Sequence, residues 1–488
     1  MTKLKYMFLM MLTMVFGLTL AACSDDDDNA PCFKVQNPEL AFEGIGGTQI
    51  LSVNSDAQPT ATVIDGADWC SVSYQDYAEG TYNFMVSVAP STVEEGTTAT
   101  IRVVSGYSRK DVVVTRAKKQ VVVPNVGMEH NAKELAALMK AGINIGNTME
   151  CPEGEGAWSG AKVTEAYIQG LKAAGFNAVR IPCAWASHFS DANNYIISSE
   201  WLDRVHQVVR WCVANDMYVV LNAHWDGGWL EDHIFDASKE ADILKEQKAI
   251  WQQVATKMNE FDEHVLFAAC NEPGMNETST GTKSWNAEAV ARVVKFEQAM
   301  IDVVRATGGN NASRTIIVQG LGTSIESTDK YMTTLPTDII DGRMMVEVHF
   351  YEPYQFALMT EDAGWGKMYY YWGTPNKVEG SDRNTPDNMA EAWVDAQMGK
   401  MKAKYTSQGI PVIIGEYSAM LRNVENQEKH EASVAYYGEY VTRVAKNNGC
   451  VPFYWETGSV INRNDGSVKK QNIVDALIKG ANEGTYPW

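Results

Sequence analysis

The stretch Val265-Leu-Phe-Ala-Ala-Cys-Asn-Glu-Pro273 runs six apolar or small residues into two polar ones and a proline. A strand buried on both faces of a parallel sheet reads as such a near-continuous apolar run. Pro273 cannot continue the ladder, so Glu272 stands at the rim of a sheet. Pro411-Val-Ile-Ile-Gly-Glu-Tyr417 has the same form and places Glu416 at a second rim position. From about residue 128 onward, further apolar runs alternate with helical patterns. Strands are predicted over 143–147, 178–182, 218–224, 265–272, 315–320, 344–351, 412–417 and 452–457. Thr164 opens one helix, closed by Gly175, and Ser199 is placed as the cap of another that carries Leu202, Val205, Val208, Val209 and Cys212 on one face. The helical pattern is poor only over 324–340. Eight strands, seven helical connections and a final helix are the count of an α/β (β/α)8 TIM barrel. A doubly wound open sheet is the alternative, and so many polar strand ends favour closure.

A chain of 488 residues exceeds one ordinary core. Residues 33–117 read as a separate all-β unit, a small Ig-like sandwich of alternating strands and Gly/Asn/Ser turns. Within it, 84–88 and 100–104 are predicted to pair as a hairpin through Glu94-Glu95-Gly96, with Trp69 in the core. Residues 118–127 form the linker, and 128–488 the barrel. At the N-terminus, Lys3 and Lys5 precede an apolar run over 7–20 that ends in Leu20-Ala-Ala-Cys23. This predicts a signal peptide over 1–22, lipidation of Cys23, and an acidic tether over 23–32 that contains Ser24-Asp-Asp-Asp-Asp28. The chain is accordingly expected to be an outer-membrane lipoprotein exposed at the cell surface, monomeric, and touching the membrane through its anchor alone. The formal net charge of −20 excludes nucleic acid as a partner, since no basic stripe exists to neutralise phosphates. Cys32, Cys70, Cys151, Cys183, Cys212, Cys270 and Cys450 are irregularly spaced. They read as buried thiols, not as a disulfide framework or a metal site.

In a barrel of this kind the site lies at the carboxyl ends of the strands. Those ends carry Asn144 and Asn147, Arg180, His224, Asn271 with Glu272, His349 with Tyr351, Glu416, and Trp455. The segments Gly142-Ile-Asn-Ile-Gly-Asn147, Val179-Arg-Ile-Pro182, Asn222-Ala-His224, Asn271-Glu-Pro273, His349-Phe-Tyr351 and Gly415-Glu416 occur in that order. Together they resemble the strand-end motifs of glycoside hydrolase family 5, the retaining β-glycanases. The front unit, through Trp69-Cys-Ser-Val-Ser73, resembles the BACON domain that accompanies polysaccharide-degrading enzymes and would serve as a spacer.

The resemblance implies Glu272 as acid/base and Glu416 as nucleophile, with Arg180 and Tyr351 bonded to Glu416. Asn271 would hold the sugar 2-hydroxyl, and Trp455 would form a stacking floor. His224 or His349 would bond substrate hydroxyls or orient the carboxylates, and Asn147 and Trp225 would complete the substrate-binding set. The chemistry explains the two acids independently: cleavage with retention needs one carboxylic acid to protonate the leaving oxygen and one carboxylate to attack. Trp158, Trp225, Trp229, Trp365, Tyr369, Tyr370, Tyr371 and Trp372 fall in predicted loops and are expected to wall an open cleft. The implied activity is endo-hydrolysis of a β-1,4-glucan (cellulose-like, mixed-linkage or xyloglucan) without cofactor or metal. The alternatives are a β-mannanase, a non-catalytic surface glycan-binding lipoprotein, and a metal-dependent hydrolase on the same barrel. Two departures from the family pattern, Trp225 for a second histidine and Glu456 beside Trp455, bear on substrate choice.

Overall fold

The computed structural model describes residues 33–78, 80–120 and 122–488. The signal peptide, Cys23, the acidic tether and Cys32 lie outside the described residues. The predicted barrel is present and closed. Its strands in chain order are Gly142–Asn144, Ala178–Ile181, Tyr218–Asn222, Val265–Ala268, Ile316–Ser324, Met344–Phe350, Val412–Tyr417 and Cys450–Tyr454. Each pairs in parallel with its neighbours, and the last returns to the first through Phe453 opposite Gly142. Every residue of the first, second, fourth, seventh and eighth strands is buried, which explains why they read as unbroken apolar runs.

The connecting helices are Glu165–Ala173, Ser199–Ala214, Glu240–Met258, Ala287–Ala306, Ile325–Tyr331, Glu391–Lys404 and Gln427–Asn447, and Gln471–Glu483 closes the chain. Thr164 caps the first of these, its side chain accepting from the Tyr167 amide at 3.1 Å. Ser199 is the first helical residue and not the cap; Ser198 occupies that position without a side-chain bond. The poor pattern over 324–340 corresponds to the shortest connecting helix, seven residues begun at Ser324. Among the described residues no helix is long and apolar enough to cross a membrane.

Several strands end earlier than predicted. The fourth stops at Ala268, so Asn271 and Glu272 ride on a turn beyond it. There the Cys270 amide is held by the Gln319 side chain at 2.9 Å in place of a ladder partner.

Residues 33–116 fold as two four-stranded sheets packed face to face. One has the order Phe33–Val35, Gly47–Ser55, Thr81–Val88, Cys70–Ala78; the other runs Glu39–Phe42, Ser108–Arg116, Thr97–Ser105, Thr60–Asp65. Leu51, Val53, Phe84, Val86, Ile101 and Val112 fill the space between them. The predicted pairing of 84–88 with 100–104 does not occur, because these strands lie in opposite sheets. Each takes a partner nearer in sequence: Thr81–Val88 pairs with Cys70–Ala78, and Thr97–Ser105 with Ser108–Arg116 around a tight turn in which Gly106 has φ +57°. Trp69 is only half-buried, packed on the edge of this core under the Arg116 guanidinium at 4.3 Å. It faces a cleft of about 220 Å³ between sandwich and barrel, lined on the far side by Gln298, Asp302 and Arg305.

The floor of the barrel is tied by Arg314, wholly buried. Its guanidinium donates to the carbonyls of Asp262 at 2.8 Å, Val265 at 2.7 Å and Phe261 at 2.7 Å, and to Asn311 Oδ1 at 2.7 Å. These bonds fix the entry of the fourth strand. Arg314→Met leaves several buried carbonyls unpaired and should cost about 3 kcal/mol or more, read as a lower midpoint in urea unfolding; an unchanged midpoint contradicts this role.

Candidate active site

The site grows from one buried cation. Arg180, near the end of the second strand, has no solvent exposure and must be neutralised where it stands. Its Nη1 donates to Glu416 Oε1 at 2.8 Å and to Asn144 Oδ1 at 3.1 Å, and its Nη2 donates to Asn271 Oδ1 at 2.8 Å. Its Nε lies 2.8 Å from Glu347 Oε1. Arg180 therefore draws together groups from the first, sixth and seventh strands and from the turn after the fourth.

Glu416 receives a second bond from the Tyr351 hydroxyl, at 2.8 Å to Oε2. Burial and the adjacent Glu416 charge push the Tyr351 phenol well above its ordinary pKa, so it remains a donor. His349 sits between the carboxylates. Its Nδ1 is 2.7 Å from Glu272 Oε1 and 3.7 Å from Glu416 Oε2, and its Nε2 is 3.4 Å from Glu347 Oε1. Burial by itself would strip the proton from this ring; Glu416, Glu272 and Glu347 outweigh it and push the pKa up to about 10. His349 is thus an imidazolium at neutral pH. Glu347 remains anionic, its pKa held below the usual carboxylate range: burial opposes this, and Arg180, His349 and Gln319 overcome it.

One oxygen each of Glu272 and Glu416 and a ring nitrogen of His349 lie within 4.8 Å of one another. The two acids differ in access. Glu416 is 7% exposed at its side chain, Glu272 27%, so one is encased and the other faces solvent.

His224 lies outside the charged cluster. Its Nδ1 is 3.2 Å from Asn222 Nδ2, and its ring runs parallel to that of Trp455 at 6.1 Å. Burial, then the charges of Arg180 and His349, pulls its pKa well below the ordinary value, so it is neutral. Trp455 follows the eighth strand, its indole lying against Gly146, where a Cβ would come within 2.8 Å of the ring. Asn147, next in the chain, takes a left-handed turn with φ +57° and gives its amide to Glu150. Trp225 is on the rim, 36% exposed, its Nε1 donating to Asp232 at 3.2 Å.

The expected aromatic wall divides in two. Trp158, Trp225 and Trp365 are exposed. Tyr371 and Trp372 are buried instead; Trp372 packs against Phe356, Tyr436 and Tyr437 and fastens the long loop to the barrel. Trp229 is half-buried against the main core.

Glu347 was not among the residues singled out from the sequence. Its signal was present: it stands two residues before His349 on one strand, hence on the same face, as a carboxylate within Met344-Met-Val-Glu-Val-His-Phe350. Gly415 makes space for it, since a Cβ there would meet Glu347 Oε1 at 1.8 Å.

Two carboxyls this close, facing each other at the carboxyl-end mouth of a parallel eight-stranded barrel, are the arrangement of a retaining glycoside hydrolase. The profile of cellulase (glycosyl hydrolase family 5) matches residues 140–460, and the chain belongs to that family. It is 31% identical over 489 residues to a xyloglucan-specific endo-β-1,4-glucanase of Bacteroides ovatus, with 94% of each chain covered. Among solved structures, it resembles a xyloglucan-specific β-1,4-glucanase from a ruminal metagenomic library in complex with XXLG (37% identity, TM-score 0.67, 73% of this chain and 98% of that one). It also resembles a broad-specificity endoglucanase of Bacteroides salanitronis (30% identity, TM-score 0.64, 74% and 98%).

The raised pKa of His349 carries a stability consequence. Its contribution is complete below the unfolded-state value near 6.5 and is lost progressively as pH climbs to about 10. The parent should therefore lose up to ~1.4 kcal/mol per pH unit more than His349→Asn across that window. Urea unfolding of both proteins at pH 6.5, 8 and 9.5 measures the difference, and parallel pH slopes would contradict it.

Proposed function

We propose that this endo-acting β-1,4-glucanase uses Glu416 as nucleophile and Glu272 as acid/base, that its preferred substrate is xyloglucan, and that it works at the cell surface on a lipid anchor. The observation that carries the catalytic reading is the approach of the two acids to within 4.8 Å of each other, combined with their unequal surroundings. Arg180 and Tyr351 both donate to Glu416, which aims it at the anomeric carbon. Glu272, more open, meets the leaving oxygen. In the first step Glu416 forms an ester with the sugar as Glu272 gives its proton to the departing glycan. In the second, the Glu272 carboxylate takes a proton from water, and the water oxygen displaces Glu416 from the same face that the leaving group had occupied. Two inversions retain the β configuration.

The remaining groups serve the sugar. Arg180 occupies the Asn271 carbonyl, which leaves the Asn271 amide to donate to the 2-hydroxyl. Neutral His224 and the Trp455 face bracket the sugar at the point of cleavage, and Asn147 and Trp225 extend the contact along the cleft. Xyloglucan is favoured by two similarities: one extends over both the sandwich and the barrel, the other is the 37% identity to a xyloglucan-specific enzyme. The segment Leu20-Ala-Ala-Cys23 followed by four aspartates supports the anchor. The sandwich, BACON-like in its Trp69 segment, then acts as a spacer. Palmitate labelling that persists in Cys23→Ala would remove the anchor from the proposal.

Reducing-sugar release on xyloglucan, mixed-linkage glucan, amorphous cellulose and glucomannan tests the substrate, with xyloglucan fastest. A preference for glucomannan overturns that choice, and no release on any of them makes the protein a binder. Glu416→Ala should lower kcat by about 10⁴-fold or more with glycan binding retained, and a chelator should leave the parent rate unchanged. Substantial turnover by Glu416→Ala would refute the nucleophile assignment.

A further inference from the structure

We propose that Glu231, in the loop after the third strand, is a positioning residue for the proton donor: its side chain holds the main chain of Asn271 and Glu272 so that the Glu272 carboxyl is presented to the leaving oxygen. This rests on the reading of Glu272 as acid/base.

The need for such a residue follows from where the fourth strand ends. Ladder pairing stops at Ala268, and the donor lies four positions further on, in a turn that the sheet no longer controls. Glu231 Oε1 accepts from the Asn271 amide at 3.0 Å and from the Glu272 amide at 2.6 Å, and the Glu231 carbonyl accepts from Gly274 at 3.0 Å. One residue therefore grips the turn on both sides of Pro273. Glu231 is 5% exposed, so water does not compete for these amides. The grip is itself anchored, since the neighbouring Asp232 accepts from Trp225 Nε1 at 3.2 Å and from Asn276 Nδ2 at 2.8 Å.

Other buried carboxylates of the barrel mouth collect amides in the same way. Asp226 takes those of Trp185, Ala186 and Ser187, and Glu456 takes those of Gly458, Val460 and Ile461. Those amides belong to connecting loops, whereas the two held by Glu231 belong to the donor and its neighbour. Burial, then the facing charges of Glu272 and Asp232, pushes the Glu231 pKa up to about 8. Its Oε1 accepts from two N–H groups, a role that a glutamine amide oxygen can fill.

The test separates positioning of the donor from general support. A dinitrophenolate leaving group departs without protonation, so misplacing the donor slows polysaccharide cleavage and spares formation of the glycosyl-enzyme from a dinitrophenyl β-glycoside of a glucan oligosaccharide. Rates are expressed per competent site, counted with a 2-deoxy-2-fluoro glycoside that traps the nucleophile. Glu231→Ala should lower kcat on polysaccharide about 10²-fold, with kcat/KM on the dinitrophenyl glycoside within about threefold of the parent. Glu231→Gln should recover most of the polysaccharide rate, and Glu231→Asp, tested alongside should the alanine variant not fold, should lose it with the same leaving-group dependence. Equal losses on both substrates, a full polysaccharide rate in the alanine or aspartate variant, or a glutamine variant as slow as the alanine one would overturn the proposal. Glu272→Ala is the control: without its own leaving-group dependence, the acid/base reading itself fails.

Discussion

A guanidinium with no access to water organises this enzyme. Burying an unpaired charge costs several kcal/mol even after relaxation, so Arg180 is tolerable only if anions and dipoles meet it on all sides. They come from Asn144, Asn271, Glu347 and Glu416, which lie far apart in sequence and belong to four other βα units. Satisfying one cation therefore sets the relative heights of strands that share no local connection. Glu416 is one of the partners. The bond that helps make Arg180 bearable also fixes the direction of the Glu416 carboxyl, so the fold and the site share one contact.

Charge and access within this cluster set two adjacent acids in different surroundings. Arg180 and the His349 imidazolium supply two positive charges; Glu347 and Glu416 supply two negative ones. Glu272 is the fifth member, and it is the one open to the cleft. Glu272 meets the cluster through its contact with His349. Two residues of identical type thus stand in separate surroundings, Glu416 bonded by Arg180 and Tyr351 and Glu272 reached from the cleft.

Much of this was legible in the sequence because closed parallel barrels write themselves plainly. Strands buried on both faces produce unbroken apolar runs, and all eight were found from them. Glu272 and Glu416 stood out as carboxylates closing such runs, and Arg180 and Tyr351 do bond Glu416 as the family resemblance implied. What failed has identifiable causes. The hairpin assigned to 84–88 and 100–104 joined strands that are neighbours in sequence, but alternation of apolar residues records which face is buried and not which sheet a strand joins. Trp69 was placed in the core for its size, and it caps the edge, where Arg116 covers its face. Trp372 was assigned to the cleft for lying in an aromatic loop, and it anchors that loop instead. Glu347 escaped notice because a carboxylate inside a strand signals its importance only once the cation opposite it is known.

Glu231 escaped for a related reason, since its task is performed on backbone amides, which have no sequence identity. The mouth of the barrel is built from loops that leave the sheet early, and each abandoned ladder bond exposes an N–H that must find an acceptor. Glu150, Asp226, Glu231 and Glu456 meet that need from inside the protein. The consequence reaches the electrostatics of the whole molecule. Burial, with N–H bonds working against it, raises Glu150 to about 7, and burial with the Glu272 charge raises Glu231 to about 8; Glu297, bonded to the Gln319 amide, is pushed well above the ordinary range. The formal charge of −20 therefore counts as anions several groups that hold protons near neutrality. Acidic residues in this fold include those that solvate its surface, those that pair with buried cations such as Arg180, and those that replace lost β-sheet partners at the rim. The last kind lets a rigid barrel present its reacting groups on turns without giving up precision in their placement.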